Sequence, residues 1–483
     1  MNRRIVIALG IGIAGSAWGV SCVDSSAGGP GDGSADFDGN VPDGATFPDV
    51  STFPDTTAPL PDTGSDASVD ATLPVDDGST PEDAGLDAND AAILDASDGA
   101  LADADDGAVV VVTADAGGTV QTLPNTLLHT TRQGHSSTLL SNGHVLICGG
   151  YYGPSNSSAS CDDFDPVANT TNVGATMHFG RDGHSATVLK NGQVLFTGGS
   201  GVNDAGTFNI LRPAEIYDPT SSTFTLVSNL PIEARSGPAV LIHGGANDGN
   251  VLLVGGYGDG TVDGSTASDP ALDSIELFTP GATPTQGTFS LLGVHLSARR
   301  GSLTAAPIGD GGMLAAGGSY GPGGGPYTYL ATADTLSPAL DAVTATVNDM
   351  SFGRQGAQSL VLTDGRVLVM DGYSATGYTT KLDIYDPPTR TFTSVSLPAA
   401  RGYFAVALLK SGHVMIAGGE GNSGPLADIL VFDAATSTFS TAKGALSVAR
   451  GLAVATTLND GRVIISGGQS VQGVVQTVDM FTE

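Results

Sequence analysis

The apolar positions of this chain fall into short blocks, each ending in a pair of small residues, and the block returns about every 50 residues. The first copy is Val145-Leu146-Ile147-Cys148-Gly149-Gly150, and six more occupy 194–199, 251–256, 313–318, 367–372, 414–419 and 463–468. Only the fifth copy breaks the glycine pair, with Asp371-Gly372. Each block is preceded by a second apolar stretch and a tight reversal: Asn142-Gly143, Asn191-Gly192, Asp248-Gly249, Asp310-Gly311, Asp364-Gly365, Ser411-Gly412 or Asp460-Gly461. Such dipeptides accept the positive φ of hairpin turns, so every repeat opens with a hairpin of two strands, a and b. A third strand then ends in an aromatic residue and a turn, as in Ile216-Tyr217-Asp218-Pro219, and a fourth opens with Thr-Phe, as at Thr391-Phe392. Four antiparallel strands repeated in this way predict an all-β fold, a seven-bladed β-propeller.

The final repeat stops one strand short of a full blade. Thr119-Val120-Gln121-Thr122-Leu123 precedes Arg132 much as Thr391-Phe392 precedes Arg401, so the segment near the start of the repeats is expected to complete the last blade and close the ring. The glycine pair, the aromatic residues of strands c and d, and an Arg before strand a together resemble the kelch repeat family over 117–483. The tryptophan usual in strand d of that family is Phe or another residue here, and the single Trp, Trp18, lies near the amino terminus.

The chain before the repeats has another character. Arg3 and Arg4 followed by an apolar run over 5–20 suit an export signal, and Gly19-Val20-Ser21-Cys22 resembles a lipoprotein box with acylation at Cys22. Residues 1–22 are therefore read as a signal, and the expected location is the cell envelope, lipid-anchored at the outer membrane or cell surface, or the secreted fraction. Of the three cysteines, Cys148 ends one strand and Cys161 begins the next, so a disulfide between them is expected and Cys22 remains for a lipid. Residues 23–116 carry no Lys, Arg or His, and 21 Asp with Glu82 give −22, the composition of a disordered acidic linker. Asp36-Phe37-Asp38-Gly39-Asn40 and Asp103-Ala104-Asp105-Asp106-Gly107 start like calcium loops, but neither reaches the closing Glu. The repeat region still carries −12, from 28 acidic and 16 basic residues, which argues against nucleic acid as a partner. A monomer is expected.

In a kelch propeller the start of strand a and the end of strand b share one mouth of the ring, so the resemblance places two residue classes on one face. One is the Arg of every repeat: Arg132, Arg181, Arg235, Arg300, Arg354, Arg401 and Arg450. A ring of guanidinium groups would suit carboxylate or sulfate ligands, although the same residues could equally satisfy loop carbonyls between blades. The other class is tyrosine: Tyr151, Tyr152, Tyr257, Tyr320, Tyr327, Tyr329, Tyr373 and Tyr378 follow strand b, and Tyr403 opens strand a. Rigid aromatic groups among Gly, Ser, Asn and Pro are a composition of binding loops. These residues point to a binding module for a glycan or polypeptide ligand, with no cofactor.

Chemistry is the alternative. Copper radical oxidases resembling galactose oxidase share this propeller core, and Arg401-Gly402-Tyr403 looks like the triplet that carries their radical tyrosine, with His135 or His184 where a copper histidine can stand. No cysteine is placed to cross-link Tyr403, Gly134 and Gly183 replace the tyrosine before the histidine, and Glu420 replaces the aromatic cover. His135 and His184 are therefore read as structural, and a carbohydrate hydrolase or lyase is the other enzymatic reading.

Overall fold

The computed structural model describes residues 112–113, 118–153, 156–202, 206, 208–258, 271–309, 311–321 and 327–483. The expectations for residues 1–22, for acylation at Cys22 and for nearly all of 23–116 lie outside these residues. The described part is a seven-bladed β-propeller with four antiparallel strands in each blade. Its only helical element is a short 3₁₀ turn, Pro284–Gln286, among the described residues. Blade 1 is typical: Ser136–Leu139, Val145–Cys148, Ser160–Asp165 and Thr170–Thr176 form strands a to d in chain order.

Strand b is the best-covered element because blades stack face to face. All four residues of Val145–Cys148, Val194–Thr197, Val251–Val254, Val367–Met370, Val414–Ala417 and Val463–Ser466 are buried, since both faces of the sheet have a neighbour. Successive side chains point to opposite blades: Leu146 and Cys148 join the core shared with blade 2, whereas Val145 and Ile147 join the core shared with blade 7. Seven separate apolar clusters result, one for each junction between neighbouring blades. Strands a of adjacent blades meet nearest the axis, through hydroxyl pairs such as Ser137 with Thr456 (2.5 Å) and Thr304 with Ser359 (2.7 Å).

Blade 7 closes the ring. Thr119–Leu127 pairs antiparallel with Thr477–Thr482, Val120 opposite Phe481 and Thr122 opposite Asp479, so the first repeat-region strand is strand d of the last blade. Just before it, Val112–Thr113 adds a fifth, parallel strand to blade 6, opposite Phe439 and Ser440. Cys148 and Cys161 stand opposite one another in strands b and c of blade 1 and are joined as a disulfide within the blade 1/2 core.

Candidate functional site

The arginines serve the blades themselves. Arg132, Arg181, Arg300, Arg354 and Arg450 are fully buried, and Arg235 and Arg401 nearly so. In each blade the guanidinium reaches a carboxylate of strand c or its approach: Arg132 to Asp162 (2.7 Å), Arg181 to Glu215 (2.8 Å), Arg300 to Asp334 (3.0 Å), Arg450 to Asp479 (2.9 Å) and Arg354 to Asp383. Arg235 pairs with Glu233 and lies 3.6 Å from Glu276, and Arg401 pairs with Asp428 (2.7 Å). The same side chain donates to the carbonyl that begins the glycine pair, as from Arg132 to Gly149 (2.6 Å) and from Arg181 to Gly198 (2.9 Å). A ring of guanidiniums offered to a ligand is therefore corrected to seven internal clamps, because a buried cation is stable only when paired and hydrogen-bonded. Burial lowers the pKa of Arg354 to about 10, which leaves it charged at neutral pH.

Directly above the clamps runs a ring of short backbone bridges. The residue after each Arg faces the residue after each glycine pair: Gln133 with Tyr151, Asp182 with Ser200, Ser236 with Tyr257, Gly301 with Ser319, Gln355 with Tyr373, Gly402 with Glu420, and Gly451 with Gln469. These seven positions, with the loops beyond them, make one end of the ring.

Here the tyrosines divide. Tyr151 and Tyr152 stand on blade 1, the latter exposed, and Tyr320 is exposed on blade 4. The others form an arc over blades 3 to 6. Tyr257 covers Gly301, where an added Cβ would lie 2.2 Å from its ring, and its hydroxyl is 2.9 Å from Ser319 Oγ. Burial pushes its pKa up to about 12, with a further rise from Tyr327 and Tyr329 beside it. Tyr329, Tyr373, Tyr378 and Tyr403 then follow in a series of edge-to-face contacts, with centroids 6.2, 6.0 and 5.7 Å apart and interplanar angles of 62°, 80° and 84°. Tyr403 is the buried end of the series, in a small apolar cluster with Leu452, and the other three are half-buried.

Two carboxyl groups accompany this arc. Asp371 holds φ at 66°, the left-handed conformation that glycine supplies at this point of the other blades. Its Oδ1 accepts from the backbone N–H of Gly372 (2.6 Å) and of Tyr403 (2.5 Å), and its Oδ2 accepts from Gln358 Nε2 (2.6 Å). Full burial lifts its pKa to about 7 against the opposing pull of those hydrogen bonds. At five other junctions the second glycine donates instead to the carbonyl of the next blade's Arg, as from Gly318 to Arg354 (2.8 Å) and from Gly419 to Arg450 (2.9 Å). At the blade 5/6 junction a side-chain carboxylate has taken over a backbone role. The second acid, Glu420, is half-buried beside Gly451, where a Cβ would come within 3.0 Å of it, and burial raises its pKa.

His135 and His184 lie below the ring of bridges, each on a hydroxyl of the preceding blade: His135 Nε2 is 3.0 Å from Ser466 Oγ and His184 Nε2 is 2.8 Å from Ser136 Oγ. Burial, then neighbouring arginines, lowers both pKa values, that of His184 to about 3, so both rings are neutral. No group of three or more His, Cys, Asp or Glu arranged to hold a metal ion occurs among the described residues.

One feature, and the meaning of a second, escaped sequence reasoning although the chain displays both. An acid stands two residues before the last buried apolar residue of strand c (Phe164, Tyr217, Phe278, Leu336, Tyr385 or Phe481) in six repeats: Asp162, Glu215, Glu276, Asp334, Asp383 and Asp479, with Leu430 before Phe432 as the exception. That alignment with the repeated Arg was the signal for the clamps. The break at Asp371 was visible too, and a non-glycine residue in a position that demands positive φ is a mark of a special site.

No protein-family profile matches the chain, and no curated protein matches it in sequence. Among solved structures it is similar to YjhT, with 14% identity and a TM-score of 0.48 over 67% of this chain and 100% of that one. It is also similar to a fungal alcohol oxidase of the AA5 family solved in complex with copper, with 17% identity and a TM-score of 0.47 over 72% of this chain and 78% of the other. At such identities the likeness is one of chain path.

Proposed function

We propose that this chain is an exported kelch-type binding module, tethered to the cell envelope through Cys22 or secreted, whose working face is the tyrosine arc of blades 3 to 6. The ligand class is a polypeptide or a glycan. The observation that carries the reading is the unbroken series from Tyr329 through Tyr373 and Tyr378 to Tyr403, which gathers aromatic surface from three blades at one end of the ring. Large rigid aromatic groups lose little conformational freedom on binding, and each presents both apolar area and a hydroxyl. The arginines belong to the scaffold in this reading and the tyrosines to the face. The amino-terminal basic and apolar segment supports export, and the acidic stretch over 23–116 suits a spacer.

The test is a screen of glycan and envelope-polypeptide libraries with the intact protein and with Tyr329→Ala/Tyr373→Ala, checked for an unchanged thermal melt. A loss of binding of at least about tenfold is expected, in line with the weight of aromatic anchors at interfaces. Equal binding by both proteins would refute the face. Peroxide release from sugars or aldehydes after copper addition, lost in Tyr403→Phe, would replace the binding reading with an oxidase.

A further inference from the structure

We infer that the corner formed by Tyr373, Tyr378 and Glu420 binds a cationic ammonium group, as carried by a lysine side chain of a polypeptide ligand. This rests on the binding-face reading above and narrows it.

The first argument is charge balance. The carboxylates that pair with the seven arginines are each neutralised at contact distance, and Asp371 is saturated by three donors. The Glu420 side chain has no hydrogen bond or ion pair among the described residues, yet it is partly buried. A partly desolvated carboxylate without a donor is the group that gains most when a cation arrives. The nearby cations are not free to fill the role: Arg401 is held by both oxygens of Asp428, Arg354 by Asp383 and Arg450 by Asp479.

The second argument is the shape of the aromatic wall. Tyr373 and Tyr378 meet at 80° with centroids 6.0 Å apart, so their faces turn around a corner instead of stacking. Ring faces are the negative parts of the aromatic quadrupole, and an ammonium group is attracted within about 6 Å of a ring centroid. Burial first, and then the Glu420 carboxylate, raise the pKa of the Tyr378 hydroxyl, and Gly402, the bridge partner of Glu420, lies directly under the Tyr378 ring. A Cβ on Gly402 would meet that ring at 2.5 Å, and one on Gly451 would meet the Glu420 side chain at 3.0 Å. Two glycines at equivalent positions of blades 6 and 7 thus leave room for a ring and a carboxylate to lie side by side. A neutral sugar would use the rings but would leave the charge of Glu420 unanswered.

The experiment is calorimetric titration of the full chain with Nα-acetyl-lysine amide, and with Nα-acetyl-norleucine amide as its uncharged counterpart. The lysine derivative should bind, more weakly as salt rises, and the norleucine derivative should not. Glu420→Gln should weaken lysine binding at least about fivefold with an unchanged melt, and Tyr378→Phe, which keeps the ring face, should retain it. Equal binding of the two derivatives, absence of binding by either, or an unaltered Glu420→Gln affinity would each overturn the assignment. Tyr329- and Tyr373-dependent binding of a neutral glycan, indifferent to Glu420→Gln, would do so while leaving the binding face intact. Indifference of every ligand to the tyrosines would remove the face itself.

Discussion

The junction between blades 4 and 5 and the next one, between blades 5 and 6, are built from the same repeat and differ at the glycine pair and in the acid that holds the arginine. At the first, Gly318 donates to the carbonyl of Arg354, and Arg354 is locked to a buried Asp383. At the second, Asp371 stands where the first glycine of the pair belongs and bonds the backbone of Tyr403, and Arg401 leans on Asp428, which is 46% exposed. Each junction keeps its own well-filled apolar cluster, so the ring does not need the departures for packing. A scaffold that repeats one solution and replaces its glycine with a strained, buried aspartate at one junction marks where something other than stability was selected.

Breaking the closure should have the largest effect, because it damages every junction at once. Deleting residues 117–130 removes strand d of blade 7 and exposes a sheet edge, and the cooperative thermal melt should be lost. An unchanged melt would show that the ring holds without its latch. Next in size is the clamp: Arg300→Met strands a fully buried Asp334, a loss of about 3–5 kcal/mol by chemical denaturation, whereas Arg401→Met leaves a carboxylate already open to water and should cost about 1 kcal/mol. Equal losses would erase the distinction between the two kinds of blade.

The smallest effect is a pH dependence with an unusual sign. Asp371 and Asp182 each have a folded pKa of about 7 against the ordinary aspartate value of 3.8, both because of burial. Between those values the folded state binds more protons than the unfolded one, so stability is greatest toward the acid side and falls as pH rises to about 7. The acids held low, such as Asp218 and Asp433, act only below about pH 4 and leave this window clear. The melting temperature should therefore drop by a few degrees from pH 5 to pH 8, and Asp371→Asn, which keeps an acceptor and tolerates left-handed backbone, should flatten part of the fall. A variant with the parental slope would mean that Asp371 does not titrate there.

The fold was legible because strands, hairpin turns and repeat length all leave local marks: Asn142-Gly143 needs no tertiary context to be read as a turn. The closure was legible for the same reason, since a repeat lacking one strand points to the place where that strand is found. The direction of a side chain leaves no such mark. Whether Arg132 through Arg450 face a ligand or the blades is not marked locally, because in most blades the acid that draws the side chain inward sits about 30 residues away on strand c, as Asp162 does for Arg132. The tyrosines could be placed on one end of the ring, but only the loops' paths bring Tyr329 to Tyr373 while leaving Tyr152 apart.

The pairing of Thr119 with Thr482 also sets the order of events during folding. The strand made first waits for the strand made last, so six blades can form by hairpin-to-hairpin growth while the seventh stays incomplete until the whole repeat region is present. Contacts of such sequence separation are slow to form, and ring closure is the natural rate-limiting step. Until then blade 7 offers an open edge, and the interval before closure is when the domain is most exposed to proteolysis and to exchange of strands between copies.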